Sequence, residues 1–172
     1  MKRRIGLGAL VVLAGVVSLG AIVLAAFMSG NGVSATHWYD LVAGRDEVDV
    51  GTVEIGNDTT DLYVAFSTDS PWCLSEVHVC VSEQSFDWLP PGNERKCNDI
   101  GGVHFGIELN TCLDNYLVEI PLAEIGALVD LCPVYVQAHA VVENQCTGRQ
   151  ETAYGNEFKA SFEHLLCHCP AP

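Results

Sequence analysis

The chain has 172 residues, with 22 acidic side chains against eight basic ones and a formal net charge of −14. Three of those bases, Lys2, Arg3 and Arg4, precede an uncharged apolar run from Ile5 to Met28, so everything downstream sets five bases against all 22 acids, a balance of −17. A surface this acidic repels phosphate backbones and anionic headgroups, which excludes nucleic acid and anionic lipid surfaces as partners. The same charge keeps an exposed domain soluble and draws cations, calcium above all, towards carboxylate-bearing loops.

The run from Ile5 to Met28 makes a helix of about 36 Å, enough to cross the hydrocarbon core of a bilayer and longer than the core of an ordinary signal peptide. Its length favours a retained signal-anchor helix over residues 1–28, with the basic flank inside and everything after Met28 outside the cytoplasm. The competing reading is a cleaved signal peptide: Val33-Ser34-Ala35 is a small-residue pattern that a signal peptidase cuts, leaving a secreted chain that begins at Thr36. Membrane attachment through this helix is therefore the first expected partnership.

Residues 29–43 read as a linker, although His37-Trp38-Tyr39 is too aromatic to be wholly solvated and belongs on the domain or near the headgroups. Residues 44–172 then form one extracytoplasmic domain that ends in a cysteine-containing tail. Val48 to Ile55 is the first predicted strand, and its alternation slips phase at Gly51, which implies a bulge. The turn Gly56 to Asp61 leads to Leu62–Ser67, with Leu62, Val64 and Phe66 on one face. Trp72–Val81 follows, with Val77, Val79 and Val81 on one face and Glu76 and His78 on the other. A long loop containing Pro90-Pro91-Gly92-Asn93 separates it from Val103–Leu109, where Val103, Phe105, Ile107 and Leu109 face inward and His104 and Glu108 outward. Tyr116–Ile120 is stopped by Pro121, Leu122 to Leu131 forms a helical turn, and Val134–Val142 and Phe158–Leu166 complete seven strands. Short alternating segments with almost no helical period predict an all-β fold, an antiparallel β-sandwich.

All eight cysteines, at positions 73, 80, 97, 112, 132, 146, 167 and 169, lie downstream of the apolar run. An even set in an exported chain predicts disulfides rather than nucleophiles or thiolate metal sites. Cys97 with Cys112 is the leading pair, since they flank the strand Val103–Leu109 and would tie the loops at its two ends together. Cys167 and Cys169 point the same way in an extended tail, with α-carbons about 6.5 to 7 Å apart, and so are expected to bond to two different upstream cysteines.

Between Val48 and Phe158 the chain resembles a β-rich module of secreted and cell-surface microbial proteins. The pieces that carry the resemblance are Asp49-Val50-Gly51-Thr52-Val53, Asp61-Leu62-Tyr63-Val64, Trp72 with Glu76-Val77-His78-Val79, Ala138-His139-Ala140-Val141-Val142 and Glu151-Thr152-Ala153-Tyr154-Gly155. The chain departs from that pattern in its many cysteines and in Tyr154, where the module has tryptophan. The resemblance implies a β-rich fold and an external address; it implies no activity.

Glu76 and His78 share a strand face, as do Gln137 and His139. If those two strands are neighbours, Glu76, His78 and His139 converge, and Glu151 joins them from a following loop. Such a set holds zinc or copper or poises a general base, while the plainer reading is polar pairs across a wet sheet face. A second candidate metal set is His164, Cys167, His168 and Cys169 in the tail. Asp46, Glu47 and Asp49 at one end of the first strand, and Asn57, Asp58 and Asp61 at the other, are candidate calcium ligands without the ordered spacing of a calcium loop. Asn57-Asp58-Thr59 is an N-glycosylation sequon in a predicted exposed turn.

No nucleophile elbow, zinc-protease helix or phosphate-cradling glycine loop is present in the sequence. The expectation is a membrane-tethered surface or envelope module, structural or binding, without enzyme activity, whose partner is a protein or glycan surface or a second copy of the chain. A metal-binding protein of the export compartment is the alternative. A pilin-like filament subunit is a further one, weakened by the lack of an early glutamate in the apolar segment.

Overall fold

The computed structural model describes residues 37–85, 94–126, 128, 133–155 and 162–164. The elements in chain order are β1 (His37–Ala43), β2 (Val48–Asn57), β3 (Asp61–Thr68), β4 (Trp72–Ser82), the short helix α1 (Glu94–Asp99), β5 (Val103–Leu113), β6 (Asn115–Pro121), β7 (Val134–Asn144), β8 (Arg149–Tyr154) and β9 (Phe162–His164). Eight strands form one antiparallel path in the order β5-β4-β7-β8-β1-β2-β3-β6, and β9 pairs with β7 beside that path. β5 and β6 lie at opposite ends of the path yet follow one another in the chain through Asp114 alone. β4 also touches β3 and β6, so the sheet curls into a nearly closed, barrel-like shape.

Period-two alternation determines which side chains fill this shape. Val50, Val53 and Ile55 of β2, Leu62, Val64 and Phe66 of β3 and Val118 and Ile120 of β6 meet Leu74, Val77, Val79 and Val81 of β4 and Val134, Val136, Ala138, Ala140 and Val142 of β7 in one core. The inward sets expected on β3 and β4 are buried, and Val103, Phe105, Ile107 and Leu109 of β5 pack half-buried against the same core. The phase slip at Gly51 is a bulge: Leu41 faces Gly51 and Val42 faces Asp49, leaving Val50 as the extra residue on β2. Gly51 has φ 150°, and a Cβ there would run into the Ser67 carbonyl oxygen and lie 2.7 Å from the Thr68 Cα on β3. Gly51→Ala is therefore expected to destabilise the domain by more than ~2 kcal/mol, read as a lower denaturation midpoint at constant m-value.

Several sequence-based expectations need correction. The linker assigned to residues 29–43 ends earlier, because His37–Ala43 is β1, paired with β2 over seven positions and with β8 at Val42 and Ala43. Tyr39 packs on the core while Trp38 is half exposed, so only alternate residues of this strand are apolar on the buried side. Arg149–Tyr154, expected as loop, is β8; its polar start hides a strand that pairs with β7 from His139 to Asn144. The expected strand Phe158–Leu166 is described only as β9, and the expected turn after Leu122 only over residues 122–126 and 128. The apolar run over residues 5–28 lies outside the described residues, among which no helix is long and apolar enough to cross a membrane.

The pairing of Cys97 with Cys112 is also overturned. β5 extends to Leu113 and runs antiparallel to β4, so these two cysteines stand at opposite ends of a strand about 35 Å long. Cys112 instead bonds Cys73 at the start of β4, with α-carbons 5.3 Å apart, and Cys97 of α1 bonds Cys80 near the other end, with α-carbons 6.0 Å apart. Among the described residues Cys146 forms no disulfide, and Cys132, Cys167 and Cys169 lie outside them.

Candidate functional site on the outer face of β4 and β7

Because Val77 and Val79 on β4 and Ala138 and Ala140 on β7 point into the core, His78 and His139 between them point to the opposite face. β4 and β7 are neighbours in a register that sets His78 directly against His139. His78 is also registered against Gly106 on β5, and His139 against Tyr154 on β8, so one row of four residues crosses four strands. Although this is the face away from the core, His78, His139 and Tyr154 are all buried.

Within the row the rings are stacked. His78 and His139 have centroids 4.8 Å apart and planes 14° apart, and Tyr154 closes the other side of His139 at 5.6 Å. Burial, and then the nearby His78 and His104 imidazoles, push the His139 pKa down to about 3, so this ring is neutral at physiological pH. Its Nε2 is buried without a hydrogen-bond partner. Glu76 Oε2 lies 3.2 Å from His78 Nε2, the only ring nitrogen it can accept from, and His78 Nδ1 faces His104 Nε2 at 3.3 Å.

Glu76, His78 and His139 thus come together as expected from their shared faces. Glu151 does not: it stands three residues from Tyr154 and so on the other face of β8, where it forms an ion pair with Arg149. His78 and His139 also fail to converge on one ion, because two rings stacked face to face with centroids 4.8 Å apart have no nearby position that lies in the plane of both. Among the described residues no three His, Cys, Asp or Glu side chains converge on a metal position. Sequence patterning marks His104 only as outward-facing and Tyr154 only as a departure from the resembled module, and it does not single out Gly106. The place of Gly106 and His104 beside His78, and of Tyr154 beside His139, depends on the β4–β5 and β7–β8 registers, which the alternation pattern alone does not specify.

The other candidates are placed as follows. His164 ends β9 opposite Val134, while Cys167, His168 and Cys169 lie outside the described residues. Asp49 accepts the Gly51 amide at the bulge. Asp58 is occupied as a turn carboxylate: Oδ1 accepts from the amides of Thr60 and Asp61 and the Thr60 hydroxyl, and Oδ2 accepts from the Tyr63 hydroxyl at 2.8 Å. Burial raises the Asp58 pKa, but those backbone and side-chain donors outweigh it and hold the carboxyl below its ordinary range. The turn expected to expose Asn57 buries it completely; its Nδ2 donates to the Asp58 carbonyl at 2.7 Å, so the folded domain has no room for a glycan there.

Comparison with known protein families, curated proteins and solved structures finds no match to this chain. The resemblance to the microbial surface module accordingly rests on its residues alone, which occupy β2, β3, β4, β7 and β8 with Gly155 just beyond.

Proposed function

We propose that this chain is a membrane-tethered extracytoplasmic module with a structural or binding role and no enzyme activity. The observation that carries the reading is the cross-linking of β4 at both ends, to β5 through Cys73–Cys112 and to α1 through Cys80–Cys97. Disulfides of this structural kind persist in oxidising compartments, and the apolar run Ile5 to Met28 supplies both the export signal and the tether. The sheet is best described as a β-sandwich whose halves, β6-β3-β2-β1 and β8-β7-β4-β5, join along the two-position seam between β1 and β8.

The binding surface that best fits the reading lies where the β1–β2 turn meets β8. Arg45 and Arg149, two of only five bases downstream of the apolar run, line a shallow pocket there with Asp46, Glu151, Val48 and Trp72. An aromatic wall ringed by charged hydrogen-bonding groups suits a protein or glycan surface. The expected result is that the full-length chain stays with the membrane fraction through high-salt and carbonate washing, and that a membrane-impermeant label reaches the domain from outside. Recovery of a soluble chain beginning at Thr36 would reject the tether, and a reduced domain shielded in the cytoplasm would reject the address.

A further inference from the structure

We propose that the hollow between the β1–β2 turn and β8 holds one sugar ring of a surface glycan, with the apolar face of the ring against Trp72 and its hydroxyls between Arg45 and Asp46. This inference rests on the binding role proposed above and narrows the partner to a carbohydrate. The hollow has an apolar floor and, counted with the part open to solvent, measures about 260 Å³. That is below the range of roughly 300 to 1,000 Å³ usual for drug-sized ligands, so it takes a single ring rather than an extended segment. Trp72 is half-buried on the core, and Val48 beside it is 45% exposed, one of two large apolar side chains so exposed among the described residues.

The polar rim matches the two-sided hydrogen bonding of a sugar. Arg45 only donates and an ionised Asp46 only accepts, and neither side chain engages a partner among the described residues. Arg149 and Glu151 neutralise each other as an ion pair, so the four charges sum to zero and the hollow draws neither a free anion nor a free cation. Adjacent ring hydroxyls donate and accept together and satisfy both groups, whereas a charged peptide side chain would satisfy one and be repelled by the other. The backbone holds this rim in place. Gly44 and Glu47 both take the left-handed conformation, at φ 69° and 53°, and the Gly44 amide donates to the Thr152 carbonyl at 3.0 Å. The turn is thereby fixed on β8 before a ligand arrives, which lowers the ordering cost of binding. β1 runs from His37 to Ala43, so the hollow opens roughly 20 Å from the point where the chain enters the sheet, clear of a tether.

The test uses the full chain in micelles of a detergent without a sugar headgroup, titrated by saturation-transfer NMR with the methyl pyranosides of glucose, galactose, mannose, N-acetylglucosamine and glucuronic acid. At least one is expected to bind saturably with a Kd on the order of 1 mM, the strength open to a ligand of about a dozen non-hydrogen atoms. Trp72→Ala is expected to weaken that binding on the order of 10-fold, and Arg45→Ala and Asp46→Ala each to weaken it by a similar factor. Trp38→Phe should leave it unchanged. Circular dichroism identifies the variants that fold, and the two variants in the exposed turn stand in should Trp72→Ala fail to do so. Failure of every glycoside to bind, or binding that the Arg45 and Asp46 variants leave at the parental strength, overturns the proposal. So does saturable binding of a tetraglutamate or tetralysine peptide in place of the sugars, which would assign the hollow to a protein. If the chain is still membrane-bound and labelled from outside, such a result removes the sugar and leaves the tethered module standing; a soluble chain that binds the sugar does the reverse.

Discussion

Replacing Cys73 and Cys112 together by alanine is expected to lower stability by about 4 kcal/mol, and replacing Cys80 and Cys97 by about 3 kcal/mol, because the bridges close loops of 39 and 17 residues in the unfolded chain. A domain of this size has only ~5 to 15 kcal/mol to lose, so the variant lacking both bridges should be largely unfolded at body temperature. The second bridge has a local role too, since Cys80 lies on the outer face of β4 two residues beyond His78 and fastens α1 there. Denaturant midpoints of the two double variants, compared with the parent under non-reducing conditions, check the prediction. Midpoints that do not move in either variant would show that the core holds the sheet without its cross-links.

The protein should also lose stability steeply as the pH falls from about 6.5 towards 3. His139 titrates near 6.5 in the unfolded chain but only at about 3 in the folded one, so between those values the unfolded state binds more protons. Stability from this residue is fully present above pH 6.5 and declines by about 1.4 kcal/mol per pH unit within the window, for a total of roughly 4 to 5 kcal/mol. Asp58 adds a loss of the same sign in the more acidic range, because its folded pKa is also depressed and its stabilisation vanishes as the carboxyl protonates. His139→Phe keeps an aromatic ring between His78 and Tyr154 but removes the titration, and should flatten the dependence by about one proton between pH 6 and 4. An unaltered slope would show that His139 is not the group responsible.

The core of this fold was legible in the sequence because alternation alone identifies a half-buried strand. Leu62, Val64 and Phe66, or Val77, Val79 and Val81, need no knowledge of their partners to be recognised as inward-facing. β1 and β8 were missed for the opposite reason: Arg149-Gln150-Glu151 is wholly polar, and His37-Trp38-Tyr39-Asp40 has no clean alternation, so their place in the sheet comes from pairing with distant segments. The same limit applies to the histidine row. The faces of His78 and His139 followed from local parity, but placing His104 and Gly106 beside His78 requires the register of β5 on β4, and excluding Glu151 requires β8 to be a strand. The expected Cys97–Cys112 pair does not form because β5 continues past Leu109 through residues as polar as Asn110 and Thr111, which carries Cys112 to the far end of β4.

The incorporation of His37–Ala43 into the middle of the sheet also limits how far the domain can reach. On an anchored chain, the segment left between membrane and fold is only residues 29–36, which even fully stretched spans no more than ~28 Å. A leash that short holds the domain within about its own width of the bilayer. Whatever it meets must then stand on the same membrane or press close against it, and an encounter between two tethered molecules becomes a search over a surface rather than through a volume.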